Sequence, residues 1–401
     1  MPDPREQVLG RATRARGSDA AGAAGPSGGA ARSRKDDPAE LRSRLDAVVA
    51  RGGTPGLQYL IVDRAGTVFE HCAGLADIAA RRPMGPATTM MAYSMSKTVT
   101  AAAVLQLVEV GAVELDESID RLAGPHPYGP GITVRRLLCH TSGIPNPLPL
   151  RWVHPAATHR EFDEGAALAA VLARHHRLAS PPGERYAYSN IGYWLLARVV
   201  ERASGQAFAA YVTERVLGRL GLAAGELGYE LRPGGDHAAG YLEGFSTMNL
   251  IKRLVIDGSL IGGYEGRWLR ILDHYANGPA FGGLIGTARG FAAFLRDQLG
   301  EHSALFGDAT RDLFFKREHT RRGTPIAMTL GWHVDAGGGG PCFFKEGGGG
   351  GFHCMMRLYP AAGRGSVAMT NATGFDVRRL GALERRFVDA GAAHRASVPV
   401  S

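Results

Sequence analysis

The stretch Tyr93-Ser94-Met95-Ser96-Lys97-Thr98 stands directly before an apolar run, 99–108, whose composition predicts a helix. If the helix begins near Ser94, the side chains of Ser94 and Lys97 lie on one face of its first turn. The unpaired N–H groups and the positive end of the helix dipole would then favour a developing anion. This spacing suits a serine nucleophile beside a lysine base, and a capping serine followed by a surface lysine is the structural alternative.

The bulk composition is that of a globular protein. The chain has 401 residues, of which 45% are hydrophobic and 21% charged. This length favours one large domain with an insertion, or two lobes. No apolar run approaches the roughly 20 residues that span a bilayer, so we expect no membrane partner. The formal net charge is +8, but no basic patch is interleaved with aromatic residues, so we expect no nucleic-acid partner.

Residues 1–36 are rich in Gly, Ala, Ser, Arg and Pro and predict a disordered tail. They lack the apolar centre of a secretory signal peptide, which favours a cytoplasmic location. The cysteines show no CxxC spacing and the histidines no HExxH pattern. We therefore expect no metal and no other cofactor, and we interpret the cysteines as free, buried thiols: Cys72, Cys139, Cys342 and Cys354.

The first part of the chain predicts a helix followed by a β-hairpin. The helix covers Pro38–Ala50 and has Pro38 at its first position. Two apolar strands, 57–62 and 67–73, flank the turn Asp63-Arg64-Ala65-Gly66. An Asp at the front of a short turn and a Gly at its end are typical of a hairpin.

The middle of the chain predicts helices separated by turns. A short helix capped by Thr133 is followed by His140, which is a possible general base for Ser94 or, alternatively, a structural histidine. Tyr188 and Asn190 stand two residues apart before a helix predicted at 192–203, so in an extended loop both side chains could enter one cleft. Helices are also predicted at 161–174 and 288–299, and 232–283 is expected to be irregular.

The C-terminal part predicts an antiparallel sheet. Short strands are expected at 328–334, 341–345, 351–359 and 366–371, followed by a helix at Val377–Ala390. The run Lys345-Glu346-Gly347-Gly348-Gly349-Gly350-Gly351 joins two of these strands. Glycines allow close approach to the backbone, although a flexible turn is the alternative.

These segments together resemble the serine β-lactamase and penicillin-binding-protein superfamily, and in particular its class C β-lactamase-like branch of esterases, peptidases and transacylases. The matching motifs occur in the expected order: Ser94-Met95-Ser96-Lys97, Leu137–Gly143, Tyr188-Ser189-Asn190 and Lys345-Glu346-Gly347. The resemblance implies an α/β (α+β) fold in which an antiparallel sheet, flanked by helices, is joined to a mostly helical lobe. We accordingly assign residues 37–92 and 325–401 to the sheet lobe and 93–324 to the helical lobe.

The resemblance also implies roles for individual residues. Ser94 would be the nucleophile, with Lys97 and Tyr188 handling its proton, and the pKa of Tyr188 would be lowered by Lys97 and Lys345. Asn190, Lys345 and Glu346 would bind the substrate. The backbone N–H groups of Ser94 and Gly348 would form the oxyanion hole.

One residue departs from the family pattern. Glu346 replaces the usual Thr or Ser of the third motif, and if it reaches the cleft it would repel a substrate carboxylate and pair with Lys345. The expected function is therefore that of a cytoplasmic serine hydrolase that acts on a small-molecule ester or amide through an acyl-enzyme. The alternatives are an acyltransferase that uses a thioester, a β-lactamase or D-amino-acid peptidase, and a non-catalytic scaffold. The apolar segment before Gly283, with Trp268 and Phe281, is a candidate substrate wall.

Overall fold

The structure is a computed structural model that describes residues 38–147, 152–223, 225–232, 234–246, 249, 257–337 and 340–381. The strands in chain order are β1 (Gly56–Asp63), β2 (Thr67–Asp77), β3 (Arg82–Pro83), β4 (Met90–Met91), β5 (Val153–Pro155), β6 (Leu227–Gly228), β7 (Gly240–Glu243), β8 (Ile261–Glu265), β9 (Trp268–Ile271), β10 (His274–Ala276), β11 (Ile285–Gly286), β12 (His333–Gly337), β13 (Gly340–Gly349), β14 (Phe352–Tyr359) and β15 (Arg364–Thr370). The α-helices are α1 (Pro38–Ala50), α2 (Ser96–Glu109), α3 (Val134–Leu138), α4 (Glu164–Arg174), α5 (Asn190–Ser204), α6 (Phe208–Val212), α7 (Pro279–Gly282), α8 (Ala288–Leu299) and α9 (Asp308–Phe315).

The central sheet is antiparallel and has the strand order β12-β13-β14-β15-β1-β2-β3. It joins both ends of the chain, because β1 pairs with β15 in a register that sets Leu57 opposite Thr370. Helix α1 packs on one face and α8 on the other. Alternate residues of β1 therefore enter two different cores, with Tyr59 on the α1 side and Leu60 on the α8 side.

The predicted hairpin is confirmed between β1 and β2. The carboxylate of Asp63 accepts the N–H groups of Ala65 at 2.8 Å and Gly66 at 3.1 Å, which closes the turn. The strand expected at 328–334 is wrong in its first part, since β12 begins at His333. There the N–H of Thr329 bonds to the carbonyl of Trp332, so this stretch forms a turn rather than an extended strand.

Helix α2 runs through the interior and packs against α5 and α7. Every residue from Ser96 to Leu107 is buried. A helix that is buried on all sides needs no amphipathic stripe, which explains why apolar residues occur on every face of α2. Lys97 is the charged exception, and the fold holds it at 0% exposure.

The region 232–283, expected to be irregular, contains regular structure where it is described. Strands β7, β9 and β8 form a small sheet, and β10 pairs with β5. Helix α5 begins at Asn190, two residues earlier than predicted, because the Ser189 hydroxyl caps it by accepting the N–H of Gly192. No helix within the described residues is long and apolar enough to cross a membrane.

Two predictions fall on other parts of the chain. The tail predicted at 1–36 lies outside the described residues. In the last predicted helix, Val377–Leu380 form a 3₁₀ turn, and residues 382–390 lie outside the described residues. The division into a sheet lobe and a helical lobe stays a prediction.

Candidate active site

Ser94 lies in a 3₁₀ turn, Tyr93–Met95, that leads directly into α2. Tyr93 has a φ of +43°, an uncommon backbone conformation for a residue other than glycine. The turn is closed by the N–H of Met95, which donates to the carbonyl of Ala92 at 3.1 Å. Lys97 follows in the first turn of α2, and its Nζ lies 2.9 Å from Ser94 Oγ. The Ser-x-x-Lys spacing thus brings the two side chains together as expected.

Tyr188 completes a cluster around the serine. Its hydroxyl lies 2.7 Å from Ser94 Oγ, although 94 residues separate the two in sequence. Lys97 Nζ also donates to the carbonyl of Phe281 at 2.6 Å and lies over the ring of Tyr188. Phe281 was expected only as a possible pocket wall, and its backbone contact with Lys97 has no local sequence signal.

Burial controls the proton affinity of the two lysines. Lys97 and Lys345 are both 0% exposed. Burial, and then the nearby charge of Lys345, hold the pKa of Lys97 well below its ordinary value. Burial alone lowers the pKa of Lys345 to about 7. A lysine with a lowered pKa is available in its neutral form, which can accept the proton of Ser94.

The expected lowering of the Tyr188 pKa is wrong. Burial raises the pKa of Tyr188, and the hydrogen bond to Ser94 opposes that rise only in part. The reason is that Tyr188 is itself enclosed by the protein, and a phenolate that has lost its water is less stable than the neutral hydroxyl. Tyr188 therefore keeps its proton near neutral pH and can pass a proton on, but it does not form a stable anionic base.

Lys345 Nζ has no hydrogen-bond partner among the described residues. It lies 5.8 Å from the ring centres of both Tyr188 and Tyr193. A buried amino group without a partner is costly unless a ligand or water satisfies it. This arrangement leaves Lys345 free to bind a substrate group.

Asn190 presents a second unsatisfied polar group. Its backbone N–H donates to Oδ1 of Asn146 at 3.0 Å, while its own Oδ1 is buried without a partner in the described residues. Only Tyr188 stands in the extended loop, since Asn190 is the first residue of α5. Asn146 was not predicted, because a lone Asn in a loop carries no distinguishing pattern.

His140 lies beside this cluster without joining it. Its Nδ1 accepts the N–H of Ser189 at 3.2 Å, and its ring centre lies 4.3 Å from that of Tyr188. Burial and the neighbouring Lys345 hold the pKa of His140 well below its ordinary value. His140 therefore supports the loop that carries Tyr188, and its hydrogen bond favours the structural interpretation over that of a general base.

Strand β13 packs against the turn that carries Ser94. A Cβ at Gly347 would lie 2.1 Å from the carbonyl oxygen of Ala92 and 2.9 Å from the backbone nitrogen of Ser94. A Cβ at Gly349 would lie 2.4 Å from the ring of Tyr93. Only glycine fits at both positions, so the first three glycines of the run belong to a packed strand, and only Gly350 and Gly351 form the turn to β14. Gly348, the expected oxyanion donor, follows directly after this contact.

Glu346 lies on the other face of β13. Residues alternate between the two faces of a strand, so Glu346 and Lys345 point in opposite directions. Its carboxylate lies 2.7 Å from Nε2 of His353, whereas Lys345 remains unpaired. The condition set for pairing with Lys345, a Glu346 side chain that reaches the cleft, is therefore not met, and Glu346 gives no reason to exclude substrates that carry a carboxylate.

Comparison with known proteins shows the family to which the chain belongs. The family model described as Beta-lactamase matches residues 41–390. The D-aminopeptidase of Cereibacter sphaeroides (strain KD131 / KCTC 12085) is 29% identical over 277 residues, which cover 68% of this chain and 46% of that protein. Protein flp of Staphylococcus aureus (strain MW2) is 25% identical over 190 residues, 45% of this chain and 36% of that protein. The chain thus spans less than half the length of these curated relatives.

Solved structures confirm the predicted fold. The D-amino acid amidase from Ochrobactrum anthropi SV3, complexed with L-phenylalanine amide, matches with a TM-score of 0.73 at 19% identity. The match covers 90% of this chain and 100% of the amidase chain. The octameric penicillin-binding protein homologue from Pyrococcus abyssi matches with a TM-score of 0.71 at 21% identity, and this match covers 88% of this chain and 78% of the homologue's chain. The chain therefore belongs to the β-lactamase family, within the serine β-lactamase and penicillin-binding-protein superfamily of serine hydrolases.

Proposed function

We propose that this protein is a serine hydrolase that forms an acyl-enzyme on Ser94 and acts on an amide or ester of a small molecule. The observation that carries the proposal is the position of Ser94 Oγ, which lies 2.7 Å from the Tyr188 hydroxyl and 2.9 Å from the buried Lys97 Nζ. A serine held between a proton acceptor and a proton donor is the arrangement that acyl transfer requires.

The first half of the reaction would acylate the enzyme. Ser94 Oγ attacks the substrate carbonyl and loses its proton to neutral Lys97. The negative charge on the carbonyl oxygen is stabilised by the N–H groups of Ser94 and Gly348. When the tetrahedral intermediate collapses, the bond to the leaving group breaks, and Tyr188 donates the proton that the leaving group needs. Tyr188 recovers a proton from Lys97.

The second half would release the acyl group. Water attacks the acyl-enzyme carbonyl and gives its proton to the same pair of residues, and Ser94 leaves with a proton returned from Lys97. Asn190 and Lys345 have polar atoms that are buried and unpaired, so they are the proposed contacts for the acyl portion of the substrate. If an alcohol or amine replaced the water, the same steps would transfer the acyl group instead.

A D-amino-acid amide is the second candidate for the substrate. It is favoured by the similarity to a D-aminopeptidase, which extends over 68% of this chain. The test is hydrolysis of matched D- and L-phenylalanine amides alongside neutral esters. A preference for the D-amide would support this substrate class, and equal rates on both enantiomers would exclude stereospecific recognition.

The experiment for the whole proposal is intact-mass spectrometry with peptide mapping. The protein is incubated with a fluorophosphonate and with a panel of esters, amides, thioesters and β-lactams. We expect one covalent adduct, located on Ser94 and lost in Ser94→Ala, and the mass increment identifies the acyl group. A folded wild-type protein that forms no adduct with any of these reagents would contradict the proposal and favour a non-catalytic scaffold.

The expected cytoplasmic location is not needed for this chemistry and stays a prediction. Fractionation of the native cells would test it.

A further inference from the structure

A buried thiol lies at the contact between strand β13 and the 3₁₀ turn Tyr93–Met95 that carries Ser94 (the nucleophile turn). Cys354 on β14 pairs in register with Gly347 on β13 and is 1% exposed. Its Sγ lies 3.4 Å from the carbonyl oxygen of Gly347 and 3.2 Å from the carbonyl oxygen of Ala92. Both distances fall within the range of a hydrogen bond from sulfur, and a thiol has one proton to donate.

The first of these carbonyl groups belongs to the peptide unit of an expected oxyanion donor. The carbonyl of Gly347 and the N–H of Gly348 are part of one planar peptide group, and the described residues contain no cis peptide bond. In a trans peptide the C=O and N–H bonds point in opposite directions. A contact that fixes the Gly347 oxygen therefore also fixes the direction of the Gly348 N–H.

The second carbonyl group belongs to the turn that holds the other donor. Ala92 O accepts the N–H of Met95 and so closes the turn that carries Ser94. This oxygen and the backbone nitrogens of Ser94 and Met95 are the nearest atoms that a Cβ at Gly347 would meet. The thiol of Cys354 thus contacts both backbone segments from which the two N–H donors arise.

The opposite face of the same strand is held as well. His353, which pairs with Gly348, places its ring 3.3 Å from the position that a Gly348 Cβ would occupy. The ring itself is held between the Glu346 carboxylate and the Phe375 carbonyl. Two consecutive residues of β14 therefore hold the Gly347–Gly348 peptide group from its two faces.

We propose that Cys354 is a positioning residue, whose S–H group fixes the relative orientation of the Ser94 and Gly348 N–H donors. This inference rests on the proposed function, because it concerns the oxyanion hole of that reaction. Burial raises the pKa of Cys354, so the group stays a thiol and acts as a donor rather than a nucleophile. Because its thiol contacts backbone carbonyl groups, Cys354 contributes through the geometry of the two donors.

The test compares Cys354→Ala with Cys354→Ser in the full-length protein. Serine keeps a hydrogen-bond donor at this position, whereas alanine removes it. Cys139→Ala is the matched control, because Cys139 is also 1% exposed but belongs to a separate core cluster. Each variant is characterised by its thermal midpoint, by kcat and KM on the best ester substrate, and by the infrared carbonyl band of the acyl-enzyme.

We expect Cys354→Ala to lower kcat about 10-fold while KM stays within about 2-fold. The two donors act mainly on the charge that develops in the transition state, so misdirecting them weakens transition-state stabilisation more than it weakens substrate binding. Its acyl carbonyl band should move to higher wavenumber, because weaker hydrogen bonds leave the C=O bond stronger. Cys354→Ser should keep kcat within about 3-fold of wild type. Cys139→Ala should also keep kcat within about 3-fold, although its thermal midpoint should fall by about as much as that of Cys354→Ala.

An alanine variant with the kcat and the carbonyl band of the control would overturn the inference. If Cys354→Ala does not fold, Cys354→Val fills the space without a donor and gives the same test. These results separate the two proposals. Wild-type protein that acylates no substrate overturns the proposed function and this inference together, whereas an active wild type with an unaffected alanine variant overturns only this inference.

Discussion

Glu346 Oε1 lies 2.7 Å from Nε2 of His353, on the face of β13 opposite to Lys345. A charged residue in the middle of the third family motif is thereby directed away from the nucleophile and into a contact between two neighbouring strands. The pair is partly exposed, so its contribution to stability is small. Glu346, the residue at which this motif departs from the family pattern, therefore contributes to the packing of β13 against β14.

Replacing Glu346 with Thr should change specificity little. We expect the ratio of kcat/KM for a carboxylate-bearing ester to that for its neutral analogue to stay within about 3-fold of wild type, because the side chain lies on the other face of the strand. Glu346→Gln, which keeps the size and a hydrogen-bonding group, is the control. A selective gain of 10-fold or more on the carboxylate substrate would show that Glu346 reaches the cleft after all.

Removing the Tyr188 hydroxyl should slow the chemistry. Tyr188→Phe deletes the group that lies 2.7 Å from Ser94 Oγ, and loss of a proton-transfer residue costs roughly 10²-fold or more in kcat. KM should change little. Tyr186→Phe is the matched control, since its hydroxyl bonds to His333 at 3.2 Å and not to Ser94. Steady-state kinetics that show equal effects of the two substitutions would contradict the role of Tyr188.

Stability should depend on pH through Lys345. Burial lowers its pKa to about 7 from an ordinary value of 10.5, so between these values the unfolded chain binds a proton that the folded chain does not. The free energy of unfolding should therefore rise with pH in this window and fall as pH drops towards 7, with a slope of at most about 1.4 kcal/mol per pH unit from this group.

Lys345→Met removes this contribution and should flatten the dependence, although Lys97 retains a slope of the same sign. Urea unfolding at several pH values between about 7 and 9 measures both slopes. Lys316→Met, at an exposed position, is the control and should keep the wild-type slope. Equal slopes in the wild-type protein and in Lys345→Met would show that Lys345 stays charged when buried.

Substitutions of Phe281 and Trp268 should have different effects, although the sequence analysis places both residues in one candidate substrate wall. Phe281 packs against Trp152 and Trp194, and its carbonyl accepts a hydrogen bond from Lys97 at 2.6 Å. Trp268 lies instead in the core cluster that includes Leu41 of α1. The two residues therefore pack in different parts of the fold.

We expect Phe281→Leu to lower kcat several-fold and to change the preference among esters of different acyl length. Trp268→Phe should cost about 1 kcal/mol of stability or more without changing that preference. Kinetics over an ester series, together with urea unfolding, measure both effects. A changed preference in Trp268→Phe alone would mean that the small β7-β9-β8 sheet, and not Phe281, contacts the substrate.

The local sequence was sufficient for features that depend on neighbouring residues. The spacing of Ser94 and Lys97 fixes their contact, because helical geometry brings residues three apart to one face. The hairpin at 63–66 follows from Asp63, which bonds to N–H groups two and three residues later. Motif order along the chain identified the superfamily, and with it the sheet formed by both chain ends.

The tertiary structure decided what depends on distant residues and on burial. It set the Tyr188 hydroxyl beside Ser94, the Phe281 carbonyl beside Lys97, and Cys354 at the contact between the nucleophile turn and β13. It also reversed the expected shift of the Tyr188 pKa, since that shift depends on how completely the hydroxyl itself is removed from water. Solvent exclusion and long-range contacts arise only when the whole chain packs, so no local pattern in the sequence determines them.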